Sequence, residues 1–448
     1  MLKTKFEQAI GNEKLATRDA ISYGALAFSL AFLALPLYMV LPNFYSKNLQ
    51  LSLSVVGFIL LITRLIDALW DPLLGLLIDR WYRQSPALLI RNIGVAGVLI
   101  CASFAVLLQP QKVAQFLGWG SVEFWIVFAL LITYACYSFL SITYQSWAVL
   151  LGSGELRQSQ VASVREAIAL FGVLVASLLS NLYGLWLNWW VFTISILLGL
   201  YSWYLLQTKQ NTTQPNPHQV PENTIQHWNW SLLRRQLIAP FKDGIFKQLI
   251  LIYAVNGIAS AIAATLFLFF VQDKLQLSIQ QSSMLLLLYF ISAAISMPFW
   301  LNRIKVWGLK KSWLMAMLIA VIAFVGSYFL TAGDMFLFSL ICVGTGFALG
   351  ADLTAPNAML NTHIQQSTKA IENKAQYLAW WNFVAKLNLA LAAGLALPLL
   401  SLMSYTPQAT GSLVPVTAQG LFALSIAYSI FPCLLKIVAM LLLVKNKQ

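Results

Sequence analysis

The chain has 448 residues, of which 59% are hydrophobic and only 10% charged, and its formal net charge is +13. A soluble domain carries roughly 25% charged residues, so this composition excludes an ordinary water-soluble enzyme, as does a mean hydropathy of +0.75. The basic excess would fit a nucleic-acid binder only if it formed a patch, and it does not.

Apolar runs long enough to cross a ~30 Å hydrocarbon core, about 20 helical residues each, recur along the whole length. In chain order they fall at 20–41, 54–79, 90–109, 123–147, 163–183, 186–206, 248–271, 281–301, 312–332, 336–358, 376–402 and 416–444. None alternates with the period of a barrel strand, and a helix satisfies its own backbone groups in lipid. The fold class is therefore an all-α membrane protein of about twelve transmembrane helices. The N-terminal MLKTKFEQAIGNEKLATRDA is polar and shows no small-residue cleavage site, so no cleaved signal peptide is expected.

One long polar stretch interrupts the pattern, and it divides the chain into an N-terminal six-helix bundle (1–206), a cytoplasmic linker (207–247) and a C-terminal six-helix bundle (248–448). The linker's first half is rich in Gln, Asn and Pro and reads as extended. Its second half, WSLLRRQLIAPFKD, reads as an amphipathic surface segment. This layout resembles that of major-facilitator transporters, whose halves rock about a midplane site. The loops are too short to hold a catalytic domain, so no enzyme is expected.

Charge distribution sets the orientation. Twenty-two Lys and Arg fall on the side that holds the N-terminus, the linker and the C-terminal tail, against Lys47, Lys112 and Lys274 on the other. By the positive-inside rule both termini are cytoplasmic, in a multi-pass protein of the inner (plasma) membrane. Cys101, Cys136, Cys342 and Cys433 all lie in expected spans without ligand spacing and read as small apolar residues. His218, His227 and His363 fall in expected cytoplasmic segments, where they should meet water rather than metal.

Charges at membrane depth cost about 2.5–3.5 kcal/mol each and are functional candidates by default. In the second run, RLIDALWDPLLGLLIDR, Arg64, Asp67 and Asp71 share one helical face, and Gly75 continues it. Two carboxylates four residues apart repel unless a cation, a proton or a basic residue lies between them, and their coupled titration makes the site proton-responsive. An ion-pair cluster closed by Arg64 is the plainer reading, but one arginine does not neutralise two acids. Lys386, some ten residues inside the eleventh run, needs a carboxylate from another helix, and Asp67 or Asp71 is the economical partner.

Arg165 and Glu166 open the fifth run, with Arg165 either lining the cavity or serving as a loop charge. Asp352 precedes Pro356 and is expected at a helix break. Lys436 is expected to snorkel to the interface. Tyr134, Tyr137, Tyr144, Trp380 and Trp381 are expected mostly at lipid or the interface, with ligand stacking the alternative. GLLIDRWYR, with Gly75, Asp79, Arg80 and Arg83, suits a charge relay at the cytoplasmic gate.

At these residues the sequence resembles the glycoside–pentoside–hexuronide:cation symporters, the melibiose-permease type within the major facilitator superfamily. The resemblance is carried by SYG at Ser22–Gly24, RLIDALWDPLLGLLIDR, Arg165, and YLAWWNFVAKLNLALAAG at Tyr377–Gly394. It implies that Asp67 and Asp71 hold the coupling cation with Lys386 and Ser138, and that Arg165 belongs to the sugar region. Tyr137, Ser141, Tyr144, Gln145 and Trp381 match substrate positions.

Departures are equally specific. Family acids become Ala31 and Ser141, a tryptophan becomes Gln145, and an asparagine between the paired acids becomes Trp70. Losing that amide oxygen weakens the case for Na⁺ relative to H⁺. The resemblance thus implies Na⁺- or H⁺-driven symport of a glycoside-like small solute. A lysophospholipid or other amphiphile is the alternative, and a non-transporting receptor is the alternative of another class. No cofactor beyond the coupling ion is expected. The expected partners are the solute and membrane lipid, without nucleic acid, and the protein is expected to be monomeric.

Topology reporters fused at Lys112 and at Gln448 should report opposite sides of the membrane, because one lies among the few basic residues of the outer side and the other at the basic tail. Reporters on the same side would overturn the orientation.

Overall fold

The computed structural model describes residues 17–37, 41, 44–45, 49, 51, 53–84, 86–151, 154–182, 185–211, 236–402 and 417–445. Among them every regular element is helical. Before the linker come α1 (Thr17–Leu35), α2 (Leu53–Gln84), α3 (Pro86–Leu108), a short α4 (Pro110–Leu117), α5 (Val122–Ala148), α6 (Glu155–Leu182) and α7 (Leu185–Asn211). After it come α8 (Gly244–Phe269), α9 (Ile279–Val325), α10 (Met335–Gln366), a short α11 (Thr368–Glu372), α12 (Lys374–Leu402), α13 (Ala418–Ser425) and α14 (Phe431–Lys445). Most of the linker, including His218, His227 and the start of its expected amphipathic segment, lies outside the described residues; its described end closes on a 3₁₀ turn at Ala239–Lys242.

Helix ends in this chain are satisfied by their own neighbours, since lipid offers no hydrogen bonds. The Ser121 hydroxyl accepts from the Phe124 amide to start α5. Ser278 and Gln281 form a reciprocal capping box at the start of α9. At 47 residues α9 is too long for one crossing, and it bends at Gly308, which has φ 76°. A left-handed backbone at that position suits glycine alone. Two passes result, in the places of the eighth and ninth apolar runs. The basic stretch between them stays helical on both sides of the bend. With α9 counted twice and α13–α14 joined by a π-helical turn at Ile426–Ile430, the described helices supply the twelve expected passes. Seven helices suffice by their own length and apolarity to cross a membrane.

The helices gather into two compact units. One comprises Met1–Ser153, Val164–Pro240 and Ile364–Phe383; the other comprises Gly154–Ser163, Phe241–His363 and Val384–Gln448. The boundaries fall inside α6, α10 and α12.

In the first unit α1 packs along α7, and α5 is flanked by α2 and α3. Phe104 meets Phe192 edge-on at 5.5 Å in its interior. In the second unit α14 packs between α8 and α9. There Phe270, from a π-helical turn at Phe270–Lys274 that follows α8, and Tyr428 stack at 4.2 Å. Large apolar side chains such as Phe58, Val98, Leu198, Ile295 and Phe336 face outward, as a lipid-solvated surface requires. Helix association in lipid depends on close packing of small residues rather than on expulsion of water. Gly346 of α10 is an instance: a Cβ there would lie 2.3 Å from the Tyr289 carbonyl oxygen of α9.

Gly346→Val should therefore force α9 and α10 apart and cost about 1–3 kcal/mol, read as a lowered melting temperature in detergent. Gly94→Ala in α3, where a Cβ meets nothing within 4 Å, should leave it unchanged or slightly higher. Equal melting temperatures for both variants would contradict this packing.

Candidate functional site

The charged face of α2 is buried. Asp71 is 0% exposed and Asp67 nearly so. Ser138 of α5 donates its hydroxyl to Asp67 Oδ1 at 2.8 Å, joining residues 71 apart in sequence. One turn along α5, Tyr134 lies within electrostatic reach of Arg64 and Asp67. Pro72 has no N–H to close on the Ala68 carbonyl, so α2 leaves one backbone oxygen free of its helix between the two acids. The Asp67 carboxylate and the Ser138 hydroxyl present oxygen atoms only, the ligand type that suits a hard cation. Among the described residues no three His, Cys, Asp or Glu side chains gather as they would for a transition metal.

Tyr137, half-buried on the same face of α5, lies within electrostatic reach of Asp67 and Asp71 on one side and of Glu166 and Arg165 on the other. It thereby links the acid pair to a second polar cluster. Arg165 of α6 pairs with its neighbour Glu166, and its Nε donates to Glu166 Oε1 at 3.0 Å. Tyr23 of α1 lies within electrostatic reach of Arg165 and stacks on Tyr144 at 4.3 Å, with ring planes 15° apart. Each phenol reaches the other's backbone: Tyr144 donates to the Tyr23 carbonyl at 2.8 Å, and Tyr23 to that of Tyr144 at 3.4 Å. Lower on α5, Gln145 donates to Ser141 at 2.9 Å.

The first unit thus collects Arg165, Tyr137 and Tyr144, with Ser141 and Gln145 as a pair on α5. Trp381 is buried in the first-unit part of α12. Lys386 is half-buried in the part of α12 that belongs to the second unit. Tyr134, Tyr144 and Trp381 are not at lipid as expected but fully enclosed, and the indole of Trp380 donates to the Leu237 carbonyl at 3.0 Å. For Tyr144 and Trp380 the polar tips find carbonyls inside the bundle, which holds the rings there.

At the C-terminal end of α2, Asp79 accepts two backbone N–H groups from the start of α12: Ala375 at 3.0 Å and Gln376 at 2.9 Å. A carboxylate here caps the helix and meets the positive end of its dipole. Gly75, one turn earlier, permits the approach, since a Cβ there would stand 2.6 Å from the Ala379 methyl. The Lys374 ammonium sits 3.6 Å over the Tyr82 ring. Arg80 is half-buried, and the side chain of Arg83 lies outside the described residues.

Three expectations are corrected in the second unit. Helix α10 does not break at Pro356 but runs on through it to Gln366. Lys436 does not snorkel: its side chain is 12% exposed, pairs with Asp352 and donates to Asn256 Oδ1 at 2.8 Å. Asp352 also accepts from the Trp313 indole at 2.7 Å. The signal was present in the sequence, an acid and a lysine both inside apolar runs, but helix order alone does not say that α10 and α14 meet.

His363 does not meet water either. Its ring is 6% exposed, and Nε2 lies 2.7 Å from Asp243 Oδ2. Asp243 Oδ1 meanwhile caps α8 through Ile245 and Phe246. Burial pushes the Asp243 carboxyl up, but the His363 hydrogen bond, the Phe246 amide, the His363 charge and the Ile245 amide outweigh it and hold it below the usual carboxylate range. That contribution is complete above the unfolded value of about 3.9 and is lost only as pH falls through the lower folded value.

Comparison with known proteins adds sequence and fold relatives. Over residues 20–447 the chain matches the family described as MFS/sugar transport protein. It is 36% identical over 67 residues to a protein of Escherichia coli (strain K12) named as a glycoside/cation symporter, YagG, a stretch that is 15% of either chain. It is 27% identical over 180 residues, 38% of this chain, to the symporter sll1374 of Synechocystis sp. (strain ATCC 27184 / PCC 6803 / Kazusa). The matched stretches span only 15% and 32% of those relatives' own lengths.

Among solved structures, a bacterial homologue of the iron transporter ferroportin in an outward-facing state superposes with a TM-score of 0.69 at 14% identity, covering 97% of this chain and 99% of that one. The E. coli fucose:proton symporter FucP does so at 0.60 and 14%, covering 96% and 98%. At such identities the structures speak for the fold alone. Fold and sequence together place this chain, a membrane transporter and not an enzyme, in the MFS/sugar transport protein family of the major facilitator superfamily.

Proposed function

We propose that the protein is a cation-coupled symporter of the inner membrane, with both termini cytoplasmic, that carries a small hydroxyl-rich solute of the glycoside type. The observation that carries the reading is the Ser138 hydroxyl hydrogen-bonded to Asp67 beside buried Asp71. Two carboxylates at membrane depth repel until an ion or proton joins them, and a bound ion favours only those conformations in which both oxygen sets reach it. Lys386 supplies the counter-charge for the empty site in this reading. The symporter names of the two sequence relatives support it.

The substrate reading rests on the cluster of Tyr23, Tyr137, Tyr144, Arg165, Ser141 and Gln145. Stacked aromatic walls with a few fixed polar groups suit a sugar-like ring, whose hydroxyls both donate and accept. Asp79 at the start of α12, with Gly75, Arg80 and Arg83, forms the cytoplasmic gate in this scheme. Substrate and ion then bind with reciprocal coupling.

In proteoliposomes with an imposed Na⁺ or H⁺ gradient, Asp67→Asn and Asp71→Asn should each abolish accumulation above the external concentration while leaving solute exchange. Ser138→Ala should weaken apparent ion affinity by about tenfold or more, since hydrogen bonds to charged groups contribute about 1.5–3 kcal/mol. Arg165→Lys should raise KM with little change in ion dependence. Accumulation as steep as wild type in both aspartate variants would overturn the coupling assignment.

A further inference from the structure

Near the bend of α9 a cation stands where no protein acid answers it. Arg303 lies just past the apolar run 281–301, about 3 Å beyond its end at 1.5 Å per residue, which is the depth of the lipid headgroups. Phe299 stands one turn before it and Trp307 one turn after. Both rings are exposed, and Ile295, a further turn back, continues the outward-facing stripe. The guanidinium carbon is 5.1 Å from the Phe299 ring centre and 5.3 Å from that of Trp307, so the two rings clamp it.

A guanidinium carries only N–H donors in one plane and accepts nothing. Nε of Arg303 is shut off from solvent and has no acceptor. Among the described residues no carboxylate pairs with this side chain. Contact with the rings offsets part of the desolvation but fills no hydrogen bond, and an unmade bond to a charged group is costly. The terminal nitrogens are not enclosed, and what lies beside an apolar outward stripe is lipid. At headgroup depth the anion that lipid carries is a phosphodiester. Arginine meets phosphate through two parallel N–H bonds, a geometry lysine lacks.

The neighbouring charges are nearly all of one sign. Lys305 and Lys311 are exposed, and among the described residues neither pairs with a carboxylate. The Lys310 ammonium lies 3.5 Å from the Val444 carbonyl, which brings the last turn of α14, with Lys445, to the same stretch. The acid at the bend is Glu155: its Oε2 accepts the Leu309 amide at 3.2 Å and would lie 3.5 Å from a Cβ at Gly308. It answers the backbone that follows the bend rather than a side chain. A basic turn between two passes is what topology requires, and by itself it selects no lipid. The clamped, unanswered guanidinium goes further, because it fixes one donor group at one depth.

We propose that Arg303, held between Phe299 and Trp307, binds the phosphodiester of an anionic phospholipid in the leaflet at the α9 bend. Lys305, Lys310, Lys311 and Lys445 select an anionic over a zwitterionic headgroup. In the orientation proposed above this is the cytoplasmic leaflet. The lipid supplies the acceptors that Arg303 lacks and ties the junction of two passes to the membrane surface. The site needs only the membrane-spanning fold and is independent of substrate and coupling ion.

Full-length protein, delipidated in a neutral detergent, is titrated with phosphatidylglycerol, phosphatidylcholine or inorganic phosphate, and the adducts are counted by native mass spectrometry. Wild type should bind phosphatidylglycerol about tenfold more tightly than phosphatidylcholine. Arg303→Gln should cut that preference by about fivefold or more, and Arg303→Lys should keep only part of it. Lys112→Gln, in the other unit, should leave it intact. Equal affinity of wild type for the two lipids, or an undiminished preference in Arg303→Gln, overturns the proposal. Displacement of the lipid by millimolar inorganic phosphate overturns it as a lipid site. Where Arg303→Gln does not fold, wild type decides alone. Phosphatidylglycerol with a photoreactive headgroup should label α9 peptides between Phe299 and Lys311, and unlabelled phosphatidylglycerol, but not phosphatidylcholine, should protect them. Label confined to other helices overturns the assignment.

Discussion

Polar groups in a bilayer have nowhere to go but to one another, and most of this structure follows from that constraint. It makes every regular element among the described residues helical, puts Ser, Asp and Thr at helix starts as caps, and draws several buried charges toward partners on other helices. Ser138 on Asp67, Asp79 on the first amides of α12, and Lys436 on Asp352 are three solutions to the same problem. Each ties helices distant in sequence, and each lies where a change of charge would alter packing.

The partners differ in kind, and the difference separates structural from responsive roles. Asp79 is answered by backbone N–H groups at a helix start, a fixed dipole that does not titrate. Asp67 is answered by a neutral hydroxyl, on a helix face that it shares with a second buried carboxylate. Asp352 is answered by an ammonium and an indole, donors only, so it is complete when charged and frustrated when neutral. One acid is thus a fixed helix cap, and the other two are acids joined to side chains of other helices, one in each unit.

The aromatic side chains show a related division. Phe and Leu cover the lipid face, whereas Tyr23, Tyr144 and Trp313 are buried with their polar tips satisfied by carbonyls or Asp352. A phenol or indole brings both apolar area and a directed donor, and in a bundle without water the donor decides where the ring can lie. The Tyr23–Tyr144 stack beside Arg165 is a rigid polar wall for that reason.

By itself, the sequence determined what local chemistry can encode. Hydropathy set the class and the passes because each apolar run must span the same thickness whatever it packs against. The spacing of Arg64, Asp67, Asp71, Gly75 and Asp79 put them on one face of α2 because helical periodicity is intrinsic. The resemblance supplied Ser138 as the partner of Asp67, a contact that spacing alone does not give. Only the tertiary structure decided which faces meet. It continued α10 through Pro356, because a missing N–H softens a helix packed on its neighbours without ending it. It turned Lys436 inward to Asp352 and Asn256, because a lysine within reach of a buried carboxylate gains more from pairing than from reaching the interface. It buried His363 on Asp243, and it set Asp79 on the backbone of α12. Contacts between helices depend on how whole surfaces fit, and no window of sequence contains both surfaces.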